Sequence, residues 1–78
     1  MEQPFETTCL YTASAIATVL DRLPELYRKD DSNRVVFKFP PDARIPGIAR
    51  GFLEHSLKLD AYAFSRTIRD LKFALHQH

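Results

Sequence analysis

The chain has 78 residues, with 11 Lys and Arg against 10 Asp and Glu, a formal net charge of +1 and a pI near 7.9. At 45% hydrophobic and 27% charged, with 6 Phe and 3 Tyr, it has the apolar mass for one core, which excludes a disordered chain. The near-neutral balance also falls short of the strongly basic composition, pI about 9 or above, of many nucleic-acid binders.

A chain this short buries about 60% of the surface its unfolded form exposes, so residues 1–78 are expected to make one domain of modest stability, frayed at 1–4 and 76–78. Cys9 stands alone, so no intramolecular disulfide forms, and a cytoplasmic location is expected. The acidic opening at Glu2 does not suit a signal peptide. Ser14 and Thr18 interrupt the apolar run from Ala13 to Leu20, which is also too short to span a membrane.

In chain order, Leu10, Ala13, Ile16, Ala17 and Leu20 recur at helical spacing and predict a first helix with one buried stripe and Thr8 as its N-cap. Pro24 cannot extend it, and Asp21-Arg22-Leu23-Pro24 reads as the exit loop. Glu25–Lys29 and Arg34–Phe39 are β-prone runs around the turn-rich Asp30-Asp31-Ser32-Asn33, a hairpin signal. That loop pairs Lys29 with Arg34, which sets Leu26 opposite Phe37 and Arg28 opposite Val35 on a core face extended by Phe39. Tyr27 then meets Val36, and Glu25 meets Lys38, on a half-exposed face. A two-stranded hairpin is marginal alone, so Gln3–Thr7 around Phe5, or a second chain, is a candidate for a further strand.

After Pro40-Pro41, Asp42 is a candidate cap for a short helix with Ile45, Ile48, Ala49, Phe52 and Leu53 on one stripe. Pro46 allows the start to slip to Arg44 or Ile45. His55-Ser56 breaks that pattern. A third helix then opens at Asp60, with Leu59 and Phe64 at the two positions of a hydrophobic staple, and packs Phe64, Ile68, Leu71 and Leu75 inward. The fold class expected is therefore α+β, in the order helix, β-hairpin, helix, helix, with an extra N-terminal strand as an option.

No catalytic or metal-binding pattern accompanies these elements. The histidines fall at His55 in a loop and at His76 and His78 near the end, with no nucleophile elbow, phosphate loop or zinc-ligand spacing. His76-Gln77-His78 reads as a terminal tail and Cys9 as a small buried apolar side chain, the alternative being a reactive thiol in the first turn of the first helix. Phe37 and Phe39 share their face with Leu26, which reads as core in place of an RNA-stacking platform. No catalytic residue, metal, cofactor or small-molecule substrate is expected.

The outer side of the third helix is the exception. Projection at 100° per residue gathers Tyr62, Arg66, Arg69, Phe73 and His76 opposite the buried stripe, with Lys72 nearby. Aromatics among cations suit a protein surface or a nucleic-acid surface equally, unless that side packs against the rest of the fold.

Several segments resemble a family of short bacterial and phage domains of unknown function. They are Leu10-Tyr11-Thr12-Ala13 opening a helix, Arg34-Val35-Val36-Phe37-Lys38-Phe39 as a strand, Leu59-Asp60 followed by Phe64, and Leu71-Lys72-Phe73-Ala74-Leu75. The resemblance runs from Phe5 to Leu75. It implies the α+β architecture and a prokaryotic or mobile-element origin, and it carries over no activity. Pro46 within Asp42–Gly51 departs from the smoother helix of the family.

The function expected is that of a non-enzymatic interaction module. It would bind a protein or a second copy through the last helix or the hairpin edge, with Tyr62, Arg66, Arg69, Lys72 and Phe73 as the interaction surface. The alternative is a nucleic-acid-binding accessory protein of a prokaryotic or phage system, using Arg66, Arg69 and Lys72. No membrane partner is expected.

Overall fold

In the computed structural model, residues 3–29 and 34–77 are described. The turn tetrad Asp30–Asn33 and His78 therefore lie outside the described residues. The elements in chain order are β1 (Phe5–Thr7), α1 (Leu10–Leu20), β2 (Glu25–Arg28), β3 (Val35–Phe39), α2 (Ile45–Leu53) and α3 (Ala61–His76). This is an α+β fold with three helices and an antiparallel sheet ordered β1-β3-β2.

The hairpin has the register its alternation dictates, with Glu25 opposite Lys38, Leu26 opposite Phe37, Tyr27 opposite Val36 and Arg28 opposite Val35. The extra strand is formed by the chain itself. Phe5, Glu6 and Thr7 pair with Phe39, Lys38 and Phe37, which makes β3 central and leaves β1 and β2 as the sheet edges. Strand periodicity then puts Phe5, Leu26, Phe37 and Phe39 on one face, where they join a core with Ala13, Ile16, Ala17, Ile45, Ile48 and Leu71. The other face carries Glu6, Lys38 and Glu25 in one row, two acids flanking a base. Val36 shares that open face yet is only 4% exposed. It lies in the central strand, with a neighbouring strand on either side and Tyr27 opposite.

Helix α1 departs from the single buried stripe expected of it. Every residue from Thr12 to Ala17 is buried, because α1 packs against both α2 and α3 and touches β1. Small residues make this workable. The Ser14 hydroxyl is satisfied by donating 2.8 Å to the Leu10 carbonyl, so its burial leaves no orphaned donor. The N-cap is Cys9, not Thr8, and the Thr7 hydroxyl accepts the Cys9 N–H at 3.1 Å. Strand β1 ends at Thr7, so the helix opens one residue later than a Thr8 cap requires.

At its far end α1 stops on Asp21, in left-handed conformation at φ 53°, with the Arg22 N–H reaching the Ala17 carbonyl at 3.1 Å. Helix α2 ends in the same manner. Ser56 N–H donates to Gly51 C=O at 2.9 Å and His55 N–H to Phe52 C=O at 3.2 Å, with His55 left-handed at φ 60°. That pair of bonds is the Schellman closure, here built on a histidine.

The start of α2 also corrects an expectation. Asp42 caps no helix; its carboxylate takes the Arg44 N–H at 2.8 Å and grips the Arg44 guanidinium, and Arg44 is the N-cap residue. Ile45 and Ile48 are buried, but Leu53, expected on the same stripe, is 70% exposed at the helix end. Helix α3 starts where Asp60 places it, the carboxylate accepting the Ala63 N–H at 2.8 Å. Leu71 is buried on its inner side, and Phe64, Ile68 and Leu75 are half-buried. Among the described residues no helix is long and apolar enough to cross a membrane.

Candidate interaction surface

The outer side of α3 faces solvent. Tyr62 is 73% and Phe73 68% exposed, and Arg66, Arg69 and Lys72 are exposed between and beside them. All five belong to one continuous helix, which positions them rigidly relative to one another. At 1.5 Å rise per residue the two aromatics stand about 16 Å apart along the axis. The same helix buries Leu71, so the two sides of α3 divide cleanly into core and surface. The option that this side packs inside the fold is thereby removed.

Beside this surface, the end of α1 and the first half of α3 enclose a cleft of about 320 Å³. Its walls include Thr18, Leu23, Ala63 and Thr67, with Arg22 and Arg66 as cations and Asp21 and Asp70 as acids. Both threonine hydroxyls donate into their own helices, Thr18 to the Ser14 carbonyl at 2.7 Å and Thr67 to the Ala63 carbonyl at 2.9 Å. Their oxygens can accept from a visitor, but neither proton is aligned on a base. Leu23 is a surface residue that sequence reasoning missed. It is 58% exposed in the α1 exit loop, and its position just before Pro24 marked only a turn.

The other candidates sit apart. Cys9 is not the buried apolar side chain expected: it is exposed at the α1 N-cap, and its thiol is pulled below the ordinary value by hydrogen bonding to the Thr12 hydroxyl first and the Thr12 amide second. The Asp42–Arg44 pair, 2.9 Å apart with Arg44 exposed and Asp42 half-buried, holds the Asp42 carboxyl down at about 2, chiefly through the guanidinium hydrogen bond. His55 holds the left-handed position after α2, and His76 is the last residue of α3. Among the described residues no three His, Cys, Asp or Glu side chains are grouped to hold a metal ion.

No family model, no curated protein and no solved structure matches this chain.

Proposed function

We propose that the chain is a non-enzymatic interaction module that binds a protein partner through the outer side of α3. The observation that carries this reading is the exposure of Tyr62 and Phe73 on the helix that also presents Arg66 and Arg69. Solvated helix faces favour Glu, Lys and Gln, whereas Tyr, Phe and Arg are the residue types enriched where proteins meet. The edge strand β2 offers a second route, by which another copy could extend the sheet. A cytoplasmic location in a prokaryotic or phage setting fits this reading.

Nucleic acid is the second reading, favoured by one feature: Arg66, Arg69 and Lys72 are exposed on one helix with Asp70 as its only acid. The two are separated by salt. Phosphate contacts release counterions, so nucleic-acid retention falls steeply as salt rises, whereas a protein contact anchored on aromatics changes little. Light scattering from micromolar to millimolar concentration, beside gel-shift assays at low and moderate salt, tests both. Retention of nucleic acid that Arg66→Glu with Arg69→Glu abolishes would replace the protein reading with the second one.

A further inference from the structure

The outer side of α3 has an order as well as a composition. Tyr62, Arg66, Arg69 and Phe73 follow one another at alternating steps of four and three, the spacing of a helix–helix seam. The seam is aromatic at both ends and cationic in the middle. Among the described residues neither Arg66 nor Arg69 has an ion pair within the chain. Lys72 beside it adds a third cation, and Asp70 is the one acid.

Resting on the interaction-module reading, we infer that this seam receives an acidic amphipathic helix of another protein. Carboxylates of that helix would lie against Arg66 and Arg69, between apolar contacts to Tyr62 and Phe73. Guanidinium groups bind carboxylates in pairs of parallel hydrogen bonds, which gives orientation as well as attraction. Two helices share the same rise per residue, so a partner helix matches the spacing of all four positions.

Charge excludes a second copy of α3 as the occupant. In a parallel pair each arginine meets its own copy. In the antiparallel pair that stacks Tyr62 on Phe73, the two-fold axis falls midway between Arg66 and Arg69, so these two oppose each other. Like charges meet at the centre in both cases, and Asp70 offsets only one of the three cations on each helix.

Spacing counts against nucleic acid. Bases along a strand are about 3.4 Å apart and stack on aromatics in succession. Two rings about 16 Å apart, with arginines between them, form no such platform. The cleft beside Tyr62 and Arg66 adds a recess where a partner side chain can insert, lined by Arg22 as well as by Asp21 and Asp70.

The test titrates the full chain into two labelled helical peptides of about 18 residues, long enough to cover the seam. Both carry the same leucine stripe, one with Glu and the other with Lys at the positions facing the arginines. The acidic peptide is expected to bind at least about tenfold more tightly. Arg66→Glu with Arg69→Glu should invert that preference without changing the helical circular dichroism, and Tyr62→Ala with Phe73→Ala should weaken both complexes. Equal binding of the two peptides, lost on replacing the aromatics, overturns the acidic partner and leaves the interaction module standing. Failure of both peptides to bind, from a chain that stays monomeric at every concentration, overturns both. Tighter binding of a labelled single-stranded oligonucleotide than of the acidic peptide, abolished by the same arginine variants, overturns the inference in favour of nucleic acid.

Discussion

The rings of Phe52 and Phe64 meet at a centroid separation of 6.0 Å and an interplanar angle of 59°, joining the last turn of α2 to the first turn of α3. Phe64 is held there from below, because its N–H donates 2.9 Å to the carbonyl of the capping residue Asp60. A tilted pair at this distance is favourable beyond the area it buries, by about 0.5–1.5 kcal/mol. A double-mutant cycle with Phe52→Leu and Phe64→Leu, read by urea unfolding, should return a coupling of about 1 kcal/mol. Strict additivity would mean that the ring pair adds nothing to the positions that α2 and α3 take against α1.

That turn carries a cost of its own. His55 occupies the left-handed position of the α2 closure, where a side chain with Cβ loses about 1–2 kcal/mol relative to the right-handed form. Glycine removes that strain but loses part of the gain to its freer unfolded state. His55→Gly should therefore stabilise the fold by about 0.5–1 kcal/mol, raising the melting temperature by about 4 °C in a chain of this size. Gly47 offers the converse change. Nothing lies within 4 Å of a Cβ built there, its φ is not positive, and it sits inside α2, so Gly47→Ala should also stabilise by about 0.5–1 kcal/mol.

The Asp42 carboxyl sets a pH dependence at the acid end. Its folded value lies at about 2 against an ordinary 3.8, so the unfolded chain binds the proton more readily. The pair thus contributes stability above about pH 4, and that contribution is lost as pH falls through the folded value near 2. Arg44 is exposed and Asp42 only partly covered, so the pair contributes little in solution and is screened by salt. Carboxyl carbon NMR should place the Asp42 midpoint near 2, and Arg44→Gln should move it up toward the ordinary value. An unmoved midpoint would assign the depression to the Arg44 N–H, which the variant keeps.

Cys9 gives a chemical readout of the α1 start. Hydrogen bonds from the Thr12 hydroxyl and amide favour the thiolate, partial burial opposes it, and the balance lowers the thiol below its ordinary value. The rate of iodoacetamide labelling should reach half its plateau at a lower pH than for a cysteine in an unfolded peptide. Thr12→Val keeps the amide and removes the hydroxyl, so it should move that midpoint up. If the midpoint stays where it was, the backbone amides of Thr12 and Tyr11 are responsible.

The sequence discloses local rules well and layer geometry poorly. The Asp60 cap and the hairpin register were legible because each depends on a few residues at fixed spacing: a carboxylate three residues before the amide it accepts, and a period of two. The burial of Ser14 was not, since a serine reads as polar until its hydroxyl finds the Leu10 carbonyl. Strand β1 is too short to show a period, and its pairing with β3 depends on residues thirty or more positions away. Of the surface, composition picked out Tyr62, Arg66, Arg69, Lys72 and Phe73. Their exposure depends on whether another layer covers α3, a property no window of sequence contains. Leu23 went unseen because exit loops leave no pattern.

The two sides of α3 should separate in stability measurements. Leu71 is buried in the core, and truncating a buried leucine to alanine costs about 2–5 kcal/mol through lost transfer energy and the cavity left behind. Set against a total of about 5–10 kcal/mol for a domain of this size, Leu71→Ala should leave a chain close to unfolding at room temperature. Tyr62 and Phe73, each more than two-thirds exposed, bury little that alanine would expose, so Tyr62→Ala and Phe73→Ala should each change stability by no more than about 0.5 kcal/mol. Urea denaturation of the three variants checks this directly. A loss of 2 kcal/mol or more at Tyr62 or Phe73 would make that aromatic part of the fold's own packing and remove it from the interaction surface. A near-neutral result leaves two large aromatics on a rigid helix with no folding role, which is the condition a binding role requires.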